Sequence, residues 1–144
     1  SIAVMSMVDH KITDVFKMPQ TPADMIELLS VFNPDDCVAY LEQVNEQPGQ
    51  KGMFEYGRNY GMIETALSAL KISHYKVTPL KWQKPFQLKK PTTTDKSKAY
   101  RERKAILKAK AQEIFPHLKI TLDTSDGLLL AEYAYSQEKD AANG

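Results

Sequence analysis

Apolar and polar positions at the start of the chain predict two paired strands. Ser1 to Val8 is mostly apolar, and Lys11 to Lys17 alternates apolar and polar residues, with Asp9-His10 between the two segments. Two such segments joined by a short polar turn are typical of an antiparallel hairpin. We therefore expect the chain to open within a β-sheet.

Apolar residues recurring at helical spacing predict four helices in the rest of the chain. They run from Thr21-Pro22 to Asn33-Pro34, Met53 to Lys71, Thr94 or Asp95 to Phe115, and Asp123 to Gln137. The expected buried residues are Phe54, Tyr56, Met62, Ile63, Ala66, Leu67 and Leu70 in the second helix, Ala99, Ile106, Ala109 and Ile114 in the third, and Leu128, Leu129, Ala131 and Tyr135 in the last.

Two further segments between these helices predict strands. Cys37 to Val44 is compact and rich in β-branched and aromatic residues, which indicates a buried strand with Glu42 near its C-terminal end. His74 to Thr78 is similar, and a loop containing Pro48-Gly49 lies between them. Strands alternating with helices after an opening hairpin predict an α/β fold, with a mixed sheet covered by helices on both faces.

Length and composition limit the class of protein. The 144 residues, 42% of them hydrophobic, are enough for one compact domain. Cys37 is the only cysteine, so a disulfide framework is excluded, and the residue itself is expected to be a small buried hydrophobe. With neither a membrane-spanning apolar segment nor a nucleotide-binding fingerprint, we expect a soluble cytoplasmic protein with no membrane partner and no nucleotide cofactor.

Charge is distributed unevenly along the chain. Residues 81–110 contain eleven Lys or Arg against two acids, a net charge of +9, whereas the whole chain carries only +1. This segment fits either a phosphate-binding surface or a solvated helix face, and the scarcity of interspersed acids favours DNA. The residues expected to contact phosphates are Lys81, Lys84, Lys96, Lys98, Arg101, Lys104 and Lys108.

Three carboxylates are candidates for a metal site. Glu42 ends an apolar strand, while Asp123 and Asp126 lie three residues apart on one face of a helix. If they converge, their repulsion would be relieved by divalent cations, as in two-metal phosphoryl transfer. From spacing alone, Asp123 or Asp126 could equally cap the helix and complement its dipole.

Four motifs in order give the chain a family resemblance. Glu42-Gln43-Val44, GRNYGMIE at Gly57 to Glu64, VTPLKWQK at Val77 to Lys84 and SDGLLLAEY at Ser125 to Tyr133 together resemble the RuvC-type Holliday-junction resolvases, most closely their phage-like branch. The resemblance covers about Ser1 to Gln137. It implies an RNase H-like domain that cuts four-way DNA junctions, located in the cytosol of a bacterium or a phage-infected host.

The resemblance also implies site residues and a cofactor. In that family four acidic residues hold two Mg²⁺ ions, with Mn²⁺ as a substitute. Glu42 matches the second of these acids, and Asp123 and Asp126 match the closing pair. The implied catalytic and metal-binding residues are therefore Glu42, Asp123 and Asp126. A homodimer is expected as well, paired through the helix that contains Gly57 and Gly61, whose glycines could alternatively accommodate local packing.

The chain departs from the family pattern in two places. The family's first Asp lies in an Ile-Asp-Pro-Gly strand that these 144 residues do not contain, so we expect a single resolvase domain over 1–144, N-terminally incomplete by one strand. Such a chain should bind branched DNA far better than it cleaves it. In addition, Asn45 occupies a position that is typically aromatic in cellular resolvases.

Two questions remain open from the sequence. A base-stacking aromatic could be Phe54 or Tyr56, both of which also fit a helix core, whereas Trp82 is more typical of a buried anchor. The alternative functions are a non-catalytic branched-DNA-binding module and an RNase H-like nuclease acting on another DNA or on an RNA-DNA hybrid.

Overall fold

The computed structural model describes residues 1–43 and 52–144 and shows a mixed α/β protein, which confirms the predicted class. Its elements are β1 (Ile2–Ser6), β2 (Lys11–Phe16), α1 (Pro22–Leu29), β3 (Val38–Glu42), α2 (Met53–Ala69), β4 (Ser73–Val77), α3 (Pro79–Gln83), a 3-10 turn (Lys84–Phe86), α4 (Lys96–Ile114) and α5 (Leu122–Asn143). The interpretations made for Val44, Asn45 and Pro48-Gly49 fall outside the described residues.

The chain divides into two compact units. The first unit comprises Ser1–Lys17 and Leu80–Gly144, and the second comprises Met18–Pro79. In place of one continuous mixed sheet, the described residues form two two-stranded sheets, β1 with β2 and β3 with β4. The sheet of β1 and β2 lies in the first unit, and the sheet of β3 and β4 lies in the second.

The opening hairpin of the first unit is confirmed. β1 and β2 are antiparallel, with Ile2 opposite Phe16 and Ser6 opposite Lys11. The turn is held against α5 by His10, whose Nε2 lies 2.7 Å from Glu132 Oε2. The ring of His10 also stacks on Tyr135, with ring centroids 3.6 Å apart.

Packing of α4 on α5, and of α5 on β1, forms the rest of this unit. Asp95 caps α4 as expected, since its Oδ1 accepts a hydrogen bond of 3.0 Å from the Lys98 N–H. The prediction for Ala109 is wrong: Ala109 is exposed, and the fully buried residues of α4 are Leu107 and Ala111. Positions 107 and 111 are one turn apart and share a face, from which position 109 points away.

Buried residues of α5 include the expected Leu128 and Leu129, whereas Ala131 and Tyr135 are half-buried. The helix continues six residues beyond the predicted end at Gln137, to Asn143. No Gly or Pro stands between Gln137 and Asn143 to end it earlier.

Trp82 anchors the segment that leads into α4. Its side chain is 0% exposed and meets Phe86 edge-to-face, with ring centroids 6.3 Å apart. The interpretation of Trp82 as a buried anchor is therefore confirmed, and its ring is not available for stacking on a base.

The second unit contains a parallel strand pair and two helices. Thr21 caps α1 through its side chain, with Pro22 at the first helical position, as predicted. β3 and β4 run parallel, with Val38 opposite Ser73 and Glu42 opposite Val77. Cys37 immediately precedes β3 and is half-buried, so it is less enclosed than expected. Burial and the Asp36 carboxylate raise the pKa of its thiol.

The predicted apolar side of α2 is correct only in its second half. Ala66 and Leu67 are buried, and Met62, Ile63 and Leu70 are half-buried. Phe54 and Tyr56 are exposed, Phe54 by 86%. Residues two apart on a helix point in nearly opposite directions, so these two could not share one buried face.

Across the described residues, no helix is both long enough and apolar enough to cross a membrane.

Candidate metal and nucleic-acid site

The start of α5 carries the candidate aspartates and has its own cap. Thr121 Oγ1 accepts a hydrogen bond from the Thr124 N–H at 3.2 Å, and Thr124 Oγ1 accepts one from the Thr121 N–H at 3.0 Å. This reciprocal pair satisfies two of the free N–H groups at the helix start. The alternative in which Asp123 or Asp126 caps the helix is therefore wrong. Asp123 lies exposed in the first turn, where its charge still complements the helix dipole.

Asp126 has one paired oxygen and one unpaired oxygen. Its Oδ2 lies 2.9 Å from Nζ of Lys104 on α4. Its Oδ1 is buried and has no hydrogen-bond partner in the part of the chain that the structure describes. A buried carboxylate oxygen without a donor is costly, so this atom has the chemistry to accept a cation or a further N–H or O–H group.

The residues beside Asp126 bring the start of β1 against α5. Ser125 is fully buried, and its hydroxyl donates to the Leu122 carbonyl at 3.1 Å. A Cβ on Gly127 would lie 2.7 Å from Ser1 Oγ and 3.5 Å from the Ser1 carbonyl oxygen. The Ser-Asp-Gly sequence is thus explained by a close approach of the two elements, which sets Asp126 beside the beginning of β1.

Two carboxylates and one ammonium lie at the start of α5. Asp123 is exposed and Asp126, three residues later on the same helix, is half-buried. Lys104 on α4 places its ammonium 2.9 Å from Asp126 Oδ2. The structure therefore brings one cation of α4 against the pair of acids on α5.

The predicted phosphate-binding cations lie almost entirely on the surface of the first unit. The exposed members are Lys81, Lys84, Lys96, Lys98, Arg101 and Lys108. Lys104 is the half-buried exception, because its ammonium pairs with Asp126. Both acids within α4 are engaged: Glu102 accepts hydrogen bonds of 3.0 Å from the N–H and hydroxyl of Thr92, in the segment that precedes α4, and Glu113 pairs with Lys110.

Glu42 lies in the second unit, as the last residue of β3. It is half-buried, and the sheet continues one step past it, since the Gln43 N–H donates to the Val77 carbonyl at 2.7 Å. The predicted position of Glu42 at the C-terminal end of a strand is confirmed. Within residues 1–43 and 52–144, no three His, Cys, Asp or Glu side chains form a group that could hold a metal ion. The convergence of Glu42 with Asp123 and Asp126 stays a prediction.

Two features of this site were not identified from the sequence. One is the pairing of Lys104 with Asp126, which depends on how α4 packs against α5. The other is Tyr100, which is 59% exposed on α4 and has its ring centroid 6.0 Å from Lys104 Nζ. A signal for Tyr100 was present in the sequence, because Lys96, Arg103 and Lys104 follow helical spacing around it.

Comparison of the sequence with protein-family models gives no match. A search of curated proteins likewise finds no significantly similar sequence.

Proposed function

We propose that the chain is an RNase H-like domain of a RuvC-type Holliday-junction resolvase, which binds four-way DNA junctions and cleaves them by metal-assisted hydrolysis. The four motifs from Glu42 to Tyr133, in family order, support this assignment. The structural observation that carries it is the 2.9 Å contact between Lys104 and Asp126. This contact joins α4, which carries the exposed cations, to α5, which carries Asp123 and Asp126.

The exposed cations of α4 and of the preceding segment are the proposed DNA-binding residues. Lys98 and Arg101 are three residues apart, and Lys108 follows Arg101 by two turns, so they mark one cationic side of α4. Ammonium and guanidinium groups on such a surface bind phosphates whatever the base sequence. We therefore expect this surface to position a DNA backbone, with the acids at the start of α5 close to it.

Asp126 fits the role of a cation ligand, because one of its oxygens is buried without a partner. The proposed ligand set for Mg²⁺, or Mn²⁺ in its place, is Glu42, Asp123 and Asp126. When bound, such ions activate water and stabilise the charge on the attacking and leaving oxygens of a phosphodiester. The protein's own carboxylates supply negative charge, and its exposed cations hold the DNA strand.

A second candidate function is a branched-DNA-binding module without catalysis. It is favoured by the pairing of Asp126 with Lys104, because the ammonium already supplies positive charge beside that carboxylate. Both functions require selective binding of branched DNA, and only the first requires cleavage.

Pairing of two copies through α2 is part of the proposal. A Cβ built on Gly57 or on Gly61 meets nothing within 4 Å, so the described chain gives neither glycine a packing role within one copy. A second copy could use this open helix surface, and a two-fold dimer would present two equivalent sites to a two-fold symmetric junction.

Binding of a four-way junction and of a linear duplex with the same sequences tests the first step. We expect tighter binding to the junction, and we expect Lys98→Glu with Arg101→Glu to weaken it strongly and reduce its salt dependence. The charge-matched control is Lys11→Glu with Lys119→Glu, two exposed cations outside residues 81–110, the basic segment. Equal affinities of both double variants would contradict the proposed surface.

Cleavage is tested by measuring Mg²⁺-dependent cutting of the same four-way junction. We expect cutting to be weak relative to binding and to be lost when Asp126→Asn is introduced. Junction binding without any Mg²⁺-dependent cutting would favour the non-catalytic module.

A further inference from the structure

Tyr100 is an aromatic side chain surrounded by cations on the exposed side of α4. It is 59% exposed, and residues one helical turn away are Lys96 on one side and Arg103 and Lys104 on the other. Lys96 and Arg103 are exposed as well. More than half of the Tyr100 surface is therefore not covered by the rest of the described chain.

Lys104 joins this ring to the acid pair. Its Nζ lies 6.0 Å from the centroid of the Tyr100 ring, within the range of a cation–π interaction, and 2.9 Å from Asp126 Oδ2. One ammonium group thus contacts both the aromatic ring and the carboxylate. Lys104 therefore links the Tyr100 ring to Asp126 through a single ammonium group.

A flat aromatic ring among separate cations suits a single nucleic-acid strand. Bases stack on aromatic side chains, while the phosphates of the same strand pair with nearby Lys and Arg. Bases within a duplex already stack on one another, so only an unpaired base can lie on a surface ring. Such bases occur where a duplex opens, at forks and branch points.

We infer that Tyr100 is the stacking platform for an unpaired base of a DNA strand whose phosphates contact Lys96 and Arg103. This inference rests on the proposed function and deepens it, because it identifies a residue that favours opened DNA. Stacking here is independent of base identity, since every base has a π-face.

Other aromatics are less suited to this role. Trp82 lies within the basic segment but is fully buried. Phe54 and Tyr56, the candidates from the sequence, are exposed on α2 in the second unit, where Arg58 is the only Lys or Arg of α2. Tyr100 combines exposure, surrounding cations and a cation–π partner, Lys104, that also pairs with a carboxylate.

The test compares Tyr100→Ala, Tyr100→Leu and Tyr100→Phe on the full chain. The probes are a forked DNA with unpaired arms and a blunt duplex of equal length. We expect Tyr100→Ala and Tyr100→Leu to weaken fork binding by roughly 5-fold to 100-fold, the range for loss of one stacked base, with little change for the duplex. Tyr100→Phe keeps the ring and should bind the fork like the parent chain.

Tyr75→Ala is the matched control, because Tyr75 is 55% exposed and lies on β4, outside the basic segment. Circular dichroism melting checks that each variant is folded. The Leu variant retains an apolar, helix-favouring side chain should Tyr100→Ala destabilise α4. A loss of fork affinity in Tyr75→Ala as large as that in Tyr100→Ala would overturn the inference.

A second measurement locates the base. Abasic nucleotides are placed one at a time in the unpaired arm next to the fork, and the effect of Tyr100→Ala is measured on each. At the stacked position the penalty of Tyr100→Ala should disappear, because the base and the ring form one interaction. A parent chain that binds the fork, with no effect of Tyr100→Ala, would overturn the stacking role and leave the proposed function standing. A parent chain that binds neither DNA would overturn both.

Discussion

Lys104 Nζ on α4 lies 2.9 Å from Asp126 Oδ2 on α5, with the two side chains 25% and 34% exposed. This contact joins α4, which carries seven Lys or Arg residues, to α5, which carries two of the three candidate metal ligands, Asp123 and Asp126. The ammonium supplies positive charge beside Asp126. The carboxylate retains a buried oxygen, Oδ1, that no described group bonds.

Replacing Lys104 by Met should therefore leave Asp126 without its cation. We expect Lys104→Met to lower the free energy of unfolding by about 1 kcal/mol, a typical value for a partly exposed ion pair. Mg²⁺ should then raise the melting temperature of this variant more than that of the parent chain, because the ion has no ammonium to compete with. The control is Lys108→Met, one turn further along α4 and exposed. Equal responses to Mg²⁺ in both variants, or an undiminished response in Lys104→Met with Asp126→Asn, would contradict a cation site at Asp126.

The hairpin turn should depend on His10 for its attachment to α5. Its Nε2 lies 2.7 Å from Glu132 Oε2, and its ring is stacked on Tyr135. We expect His10→Ala to lower the free energy of unfolding by about 1–2 kcal/mol, since it removes a hydrogen bond and an aromatic contact. Asp9→Ala, in the same exposed turn, should change it by less than about 0.5 kcal/mol. Urea unfolding followed by circular dichroism measures both, and equal effects would show that the turn itself, not the His10 contacts, is responsible.

Acid should weaken an ion pair in the second unit. Lys76 Nζ on β4 lies 2.9 Å from Glu64 Oε2 on α2, and the Lys76 hydrogen bond lowers the pKa of the Glu64 carboxyl. A lowered folded-state pKa stabilises the protein above the unfolded value of about 4.3, and this stability is lost as pH falls through the folded value. The same pair raises the pKa of Lys76, whose contribution is present below its unfolded pKa and is lost as pH rises through the folded one.

Glu64→Gln tests this pH dependence. We expect the parent chain to be more stable than Glu64→Gln at neutral pH, and the difference to shrink on acidification below about pH 4. Glu55→Gln, an exposed acid near the start of the same helix, is the control and should show a smaller difference. A Glu64→Gln difference that is constant from pH 7 to pH 3 would argue against the ion pair.

Substitutions of the two glycines of α2, Gly57 and Gly61, distinguish an effect on helix stability from an effect on the pairing of two copies. Neither Gly57 nor Gly61 has a neighbour within 4 Å of a built Cβ, and neither has a positive φ. Alanine at each position should therefore stabilise the folded monomer by about 0.5–1 kcal/mol. Gly127→Ala is the contrasting control, because its Cβ would lie 2.7 Å from Ser1 Oγ, so it should gain less or lose stability.

The same variants test the dimer. If two copies pack through this surface of α2, added methyl groups should push the helices apart and shift light-scattering masses towards the monomer. A parent chain whose mass is that of a monomer at all concentrations would contradict the dimer, whatever the variants do.

Local patterns in the sequence determined most of the secondary structure. The hairpin, the caps at Thr21 and Asp95, and the strand that ends at Glu42 depend on residues close to one another in the chain. Turn chemistry, capping and apolar periodicity act over a few residues, so the elements that they specify can be predicted from the sequence alone. Trp82 could be predicted as buried for a similar reason, because large aromatics usually are.

The tertiary structure decided which faces are buried and which charges are paired. Apolar periodicity predicted Phe54 and Ala109 as core residues, but both are exposed. A helix buries only the face that neighbouring elements cover, and those elements come from distant parts of the chain. The exposure of the Tyr100 ring and the contact of Lys104 with Asp126 also depend on how the helices pack. Side-chain pairing between helices depends on their packing, which residue spacing within one helix does not specify.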